Sequence, residues 1–281
     1  YRTGLIENHY IHPDDISTYN QFCDDLENGN KILDMEIRVL NAQTGNYSWY
    51  RTIGNPLYDK DNSPMSVIGK TFNTDDTHEA INLLTDKSNR DSLTTNLYNR
   101  NYTEKLIKEK IQTEDTCLPY TLILADVDNF RKLNESLGHL YGDSLLQDIA
   151  AILQKFCPTD VIGRIGADVF AIFIDDIKSP KLIETLIDNI NLELNKVYSA
   201  DANSNIFLSY GIAFCDTPEY NFEVLFRKAD VALFAAKSKG KNCSLFYDES
   251  LGYDSSKGQT LNEYNVLDGL SLVEASMDTA L

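Results

Sequence analysis

Asp126 and Asp128 close a run of strand-forming residues, TLILADV (121–127) followed by Asp128. Alternation along a strand puts both carboxylates on one side of the pleat, where a hard cation such as Mg²⁺ finds oxygen ligands. The same spacing also suits an acidic strand end that is merely solvated. Further on, Asn134 precedes Leu137-Gly-His139 and Gly142-Asp143. An amide and a carboxylate held together can read the edge of a guanine, with Asp143 accepting from the N1 and N2 donors. Asp143 equally suits the N-cap of the helix that follows, a role worth about 1 kcal/mol. Lys237 and Lys241 offer cations to a phosphate, or simply complement the dipole at the end of a helix. RIGADVF (164–170) then sets a Gly-Ala-Asp bend between two strand-like stretches. Asp168 can ligate a cation there. Val169 beside it cannot ionise.

These groups need a frame, and the pattern from 101 onward supplies one. YTEKLIKEKIQ reads as a helix, 121–127 as a buried strand and GDSLLQDIAAILQKF (142–156) as an amphipathic helix. Two short strands flank Gly166, followed by a helix at 180–198, a strand at 205–214, a helix at 221–239 and SLFY (244–247). Strands alternating with helices predict an α/β sandwich, its helices packed on a mainly antiparallel sheet.

The first 75 residues follow other rules. HPDDISTYNQFCDDLENG (12–29) has an N-cap-rich start, apolar positions at helical spacing and a closing glycine. MEIRVLN (35–41) and YSWYRTIGNPLY (47–58) flank a Gln43-Thr-Gly-Asn turn as a hairpin would, and SVIGKTFN (66–73) gives a third strand. One helix and three antiparallel strands enclose little core, so the expectation is the latter part of a domain whose beginning lies outside this chain. THEAINLLTDKSNRDSL reads as a linker helix within 76–100. The resulting division is 1–75, 76–100, 101–248 and a C-terminal connector helix over 249–281, where apolar residues again recur at helical spacing.

The totals narrow the function. Forty-three acids against 25 bases give a net charge of -18, which repels nucleic-acid backbones and anionic membranes. A nucleotide remains admissible, because a cation bound at one site overrides the global field. No apolar run approaches the roughly 20 residues of a membrane span. Five cysteines without a CxxC pair read as reduced thiols of a cytoplasmic protein.

Five blocks, DSLTTNLYNR (91–100), DVDNFRKLNESLGHLYGDSLL (126–146), RIGADVFAIF (164–173), SYGIAF (209–214) and KADVALFAAKSKGKN (228–242), together resemble the GGDEF family, the diguanylate cyclases. The resemblance implies a nucleotidyl-cyclase-like (ferredoxin-like) sheet on which two GTP-loaded domains meet to make cyclic di-GMP. Asp126 and Asp168 would hold Mg²⁺ with the GTP, and Asn134 with Asp143 would hold the guanine. Asn129, Phe130 and Arg131 would lie under the phosphates, with Lys237 and Lys241 reaching the triphosphate. The segment before residue 76 resembles the C-terminal half of a PAS sensor domain, a partial α+β unit. Ile11-His-Pro-Asp-Asp15, Glu36 to Arg38, Tyr47-Ser-Trp49 and the Gly69 strand carry that likeness.

Three departures matter. The family signature Gly-Gly-Asp/Glu-Glu-Phe is Gly166-Ala167-Asp168-Val169-Phe170 here. Valine stands where the family uses a carboxylate beside the attacking hydroxyl, and losing a positioned base alone costs on the order of 10²–10⁴ in rate. No catalytic residue is therefore assigned. If the backbone at Ala167 needs positive φ, alanine also costs about 1–2 kcal/mol. Upstream, the family's product-binding Arg-x-x-Asp reads Cys157-Pro-Thr-Asp160. The expectation is a domain that binds GTP–Mg as a regulatory module and makes little or no cyclic di-GMP. It would act as a homodimer or on a neighbouring domain such as an EAL phosphodiesterase. A working diguanylate cyclase and a nucleotide-free dimerisation scaffold are the alternatives.

Overall fold

The chain reverses direction where the sequence carries turn chemistry. In the computed structural model, which describes residues 2–61, 63–113, 120–158, 160–175, 179–198, 206–215, 221–254 and 259–260, a short helix Arg2–Glu7 (α1) and a helix Ile16–Glu27 (α2) precede the strands Leu33–Leu40 (β1), Tyr47–Tyr58 (β2) and Pro64–Asn73 (β3). The three strands form one antiparallel meander. Asn41 makes the first turn by accepting the amide of Gln43 at 3.0 Å, and Asp59 makes the second by accepting those of Asp61 and Ser63. Ile11, Met35 and Ile37 form the small core of this unit, with Ile16, Tyr19 and Phe22 of α2 packed on it. Arg38 ties the start of α2 to the sheet. Its guanidinium donates to both oxygens of Asp15, at 2.8 and 2.9 Å.

Two compact units divide the chain, Tyr1–Lys87 and Ser88–Leu281. The helix leading from one to the other, Asp75–Asn89 (α3), stops short of residue 100. It ends there because Asp91 folds the next residues into a tight turn. The Asp91 carboxylate accepts the amides of Leu93 and Thr94 and the Thr94 hydroxyl.

In the second unit Tyr98–Asn99 (β4) and the helix Arg100–Thr113 (α4) lead to the central strand Tyr120–Val127 (β5), buried at every position. A helix Phe130–Leu137 (α5) runs into His139–Phe156 (α6), and Val161–Arg164 (β6) and Val169–Asp175 (β7) make the hairpin of the signature. Pro180–Tyr198 (α7), Leu208–Cys215 (β8), Phe222–Ser238 (α8) and Ser244–Phe246 (β9) complete the fold. The six-stranded sheet has the order β4-β6-β7-β5-β8-β9. Its outermost pairs, β4 with β6 and β8 with β9, are parallel and the inner ones antiparallel.

One core lies under α6 and α7, built on Ile123, Leu145, Ile149, Phe170 and Ile187. The other lies under α4 and α8, built on Leu122, Leu124, Phe173, Leu225 and Leu233. A strand buried on both faces explains the unbroken apolar run 122–125. A small antiparallel pair, Tyr253–Asp254 (β10) with Gln259–Thr260 (β11), follows. Residues 261–281, most of the expected connector helix, lie outside the described residues. No described helix is long and apolar enough to cross a membrane.

Candidate functional site

The C-terminal end of β5 delivers Asp126 to the edge of the sheet, only 4% exposed. Its register partners are Val169 on β7 and Ser209 on β8. Lys237, in the last turn of α8, donates to Asp126 Oδ2 at 2.5 Å. Burial raises the Asp126 carboxyl to about 6, and the nearby charges of Asp168 and Asp128 add to it, while Lys237 pulls the other way. Burial also raises Asp168, again against Lys237. Two carboxylates that are costly to ionise therefore share one lysine. Among the described residues no group of three or more His, Cys, Asp or Glu gathers to hold a metal. A hard cation placed here would draw the rest of its shell from phosphate and water, as Mg²⁺ commonly does.

Position 169 faces this cluster. Antiparallel pairing sets Val169 directly opposite Asp126, so its side chain stands on the same face of the sheet. The signature bend itself is unstrained: neither Gly166 nor Ala167 has positive φ. The conditional penalty at Ala167 is therefore absent, and alanine fits because the backbone never enters the left-handed region. Arg164 holds the bend, donating to the Ala167 carbonyl at 2.7 Å and to Asp91 Oδ1 at 3.1 Å. Burial alone would raise Asp91; the Thr94 bonds and Arg164 outweigh it and keep its carboxyl lowered.

A second group of candidates lies at the α5–α6 turn. Gly138, at φ 87°, occupies the N-cap of α6, so the helix starts at His139 and Asp143 lies inside it rather than capping it. Asp143 is exposed. Asn134 packs against Gly142, where an added Cβ would lie 1.9 Å from the amide oxygen. That oxygen is buried and has no hydrogen-bond partner among the described residues. A buried acceptor left unpaired costs about 1–3 kcal/mol, a debt that a donor-bearing ligand would remove. The structure thus brings Asn134 against the residue preceding Asp143, the neighbourhood in which both could face one base.

The remaining candidates divide. Lys241 donates to Asn129 Oδ1 at 2.7 Å. The Phe130 ring is buried in the core beneath α6. Arg131 points away to Glu135, at 3.0 Å, and is almost fully exposed. Sequence reasoning missed α5 and the turn after α3. The signals were present: Phe130, Leu133 and Leu137 at helical spacing, and Asp91 three residues ahead of Thr94.

At the far end of the hairpin, Cys157 is buried, and burial with the charge of Asp160 pushes its thiol up to about 12. Lys110 acts on Asp160 from nearby and pairs with Asp175, and the Cys157 thiol offers no bidentate fork of the kind that an arginine would.

Comparison with known proteins places this geometry. The family described as Diguanylate cyclase, GGDEF domain, matches residues 88–243, and the PAS fold family matches residues 7–71. The chain belongs to the GGDEF family, and the segment ahead of that domain is similar to the PAS fold. Relatives include the cyclic di-GMP phosphodiesterase PdeB of Shewanella oneidensis, 30% identical over 58% of this chain and 19% of its own length. The probable diguanylate cyclase DgcT of Escherichia coli K12 is 28% identical over 58% of this chain and 36% of its own. The chain thus spans about a fifth to a third of these relatives. Among solved structures, the coiled coil and GGDEF domain of DgcB from Caulobacter crescentus, in complex with c-di-GMP, superposes with a TM-score of 0.55. It is 22% identical, and the match covers 61% of this chain and 92% of that one.

Proposed function

We propose that this chain is a cyclic di-GMP signalling module whose GGDEF domain binds GTP with Mg²⁺ as a regulatory input and makes little or no cyclic di-GMP. One observation carries the reading: the residue directly across the ladder from buried Asp126 is Val169, while Asn134, Asp143, Asn129, Lys237 and Lys241, suited to guanine and phosphate, are present. Asp126 and Asp168 would hold the cation, which neutralises phosphate charge when bound. With Asp126 so occupied, Lys237 is free to meet phosphate. Asn134 and Asp143 would take the guanine edge, and Lys241 with Asn129 the triphosphate. Val169 accepts no proton from a ribose hydroxyl, so the nucleotide is held without its nucleophile being activated.

The relatives support a cyclic di-GMP context, since one is named a cyclic di-GMP phosphodiesterase and another a probable diguanylate cyclase. We place the module in the cytoplasm, acting as a homodimer or on a partner domain such as an EAL domain.

Calorimetric titration of the chain with GTP in Mg²⁺ tests this assignment. Binding is expected in the wild type and weakened by Asp143→Ala. Equal affinities in the two would remove Asp143 from the guanine site, and no binding at all would favour a nucleotide-free scaffold.

A further inference from the structure

Asp128 looks in sequence like a second cation ligand beside Asp126, yet its carboxylate is already committed. It is buried, at 9% exposure, and both oxygens are taken. Ser209 donates its hydroxyl to Oδ1 at 2.8 Å from β8, and the backbone amide of Asn242 donates to Oδ2 at 2.8 Å.

What these bonds hold is unusual backbone. Helix α8 ends in a Schellman arrangement around Gly240, at φ 122°: the Lys241 amide returns to the Ala236 carbonyl and the Gly240 amide to that of Lys237. Lys241 and Asn242 then both adopt left-handed backbone, at φ 68° and 49°, and so does Asn129 next to Asp128, at φ 59°. Three of the four non-glycine residues with positive φ among the described residues therefore meet at one carboxylate. The two asparagines tolerate this conformation readily, whereas for Lys241 it is sparsely populated and persists only where its surroundings over-determine it. Here Asp128 supplies the constraint, and the product is the Lys241–Asn129 contact at 2.7 Å.

We propose that Asp128 is a positioning residue: through Asn242 it fixes the strained turn that presents Lys241 and Asn129 to the triphosphate, and it binds no metal itself. The assignment rests on the nucleotide-binding reading above and deepens it. Asparagine can replace Asp128 in this role. Its carbonyl accepts the Asn242 amide, and its NH₂ donates to the Ser209 hydroxyl, which can turn to accept. Alanine can do neither.

The test titrates the full chain with Mg·GTP and, separately, with guanosine. Asp128→Ala is expected to weaken Mg·GTP about tenfold, the factor carried by 1.4 kcal/mol, and to leave guanosine affinity at the wild-type value. Asp128→Asn is expected to stay within about threefold of wild type for Mg·GTP, because both hydrogen bonds survive. Asp128→Ala and Lys241→Ala should not add when combined, since both remove the same presented lysine. If Asp128→Ala fails to fold, Ser209→Ala, which releases one oxygen, should still cost about threefold for Mg·GTP alone.

Three results would overturn the assignment: Asp128→Asn as weak as Asp128→Ala, which means a metal charge; equal losses for guanosine and Mg·GTP, which mean general damage; or wild-type Mg·GTP affinity in Asp128→Ala or in Ser209→Ala. No Mg·GTP binding by the wild type would overturn the parent reading as well, so the two failures are told apart.

Discussion

In the first unit Asp15 meets Arg38 at 2.8 Å and Asp34 meets Arg51 at 2.6 Å, whereas in the second Asp126 and Asp168 share a sheet end with a single lysine. The physical outcome is opposite. Hydrogen bonds from Arg38 and Arg51 lower the first pair of carboxyls, while burial raises the second pair. The first of these ion pairs holds the meander on its helix, and the second braces β1 against β2. Carboxylates of the second kind, poised against ionisation at a sheet end, are stabilised when positive charge arrives.

The largest effect should come from completing the second cluster. Val169→Glu places a carboxylate opposite Asp126, and Ala167 puts no left-handed strain in its way. Cyclic di-GMP formation from Mg·GTP, followed by chromatography, should rise by on the order of 10² or more. No gain would mean that the block lies elsewhere.

Acidity should then move the two units in opposite directions when Mg²⁺ is absent. Asp15 has a depressed folded value, so its contribution is present above about pH 4 and is lost as pH falls through that folded value. Asp126 is raised to about 6, so the stability it contributes to the second unit is greatest below about pH 4 and falls by on the order of 3 kcal/mol as pH climbs through 6. Hydrogen exchange resolved by unit between about pH 2 and 7 checks this. Asp126→Asn should flatten the second slope and leave the first, and parallel slopes in both units would break the contrast.

Somewhat smaller is the effect at the guanine wall. Gly142→Ala drives a methyl into the Asn134 amide oxygen. It should weaken Mg·GTP about thirtyfold, the equivalent of roughly 2 kcal/mol. Calorimetry returning wild-type affinity would remove Asn134 from the site.

Smallest of all is Cys157→Ala. It lies away from the retained groups, and nucleotide affinity should not change by titration. A loss there would tie the far end of the hairpin to the site.

Much of this was legible from residue types. The limits of β2 follow from alternation and its two turns, and Asp126 was placed at a strand end by the apolar run before it. What escaped depended on partners distant in the chain or on backbone angles. Ser209 and Asn242 sit 81 and 114 residues beyond Asp128, and no local pattern marks them as its partners. Ala167 raised the question of positive φ because glycine in a signature suggests it, but only coordinates reveal that the bend needs none. Asp143 also suited an N-cap because aspartate is a favoured cap residue, whereas the helix had already started a turn earlier, after Gly138. The Asn134–Gly142 contact is steric and joins two helices, so composition is silent on it.

The central claim is that Val169 leaves a site able to hold a nucleotide and unable to turn it over. The most direct measurement incubates the wild-type chain at high concentration with Mg·GTP and assays the mixture by chromatography, with calorimetry on the same sample. The account predicts saturable binding and no cyclic di-GMP over hours. Steady accumulation of cyclic di-GMP by the wild type would contradict it.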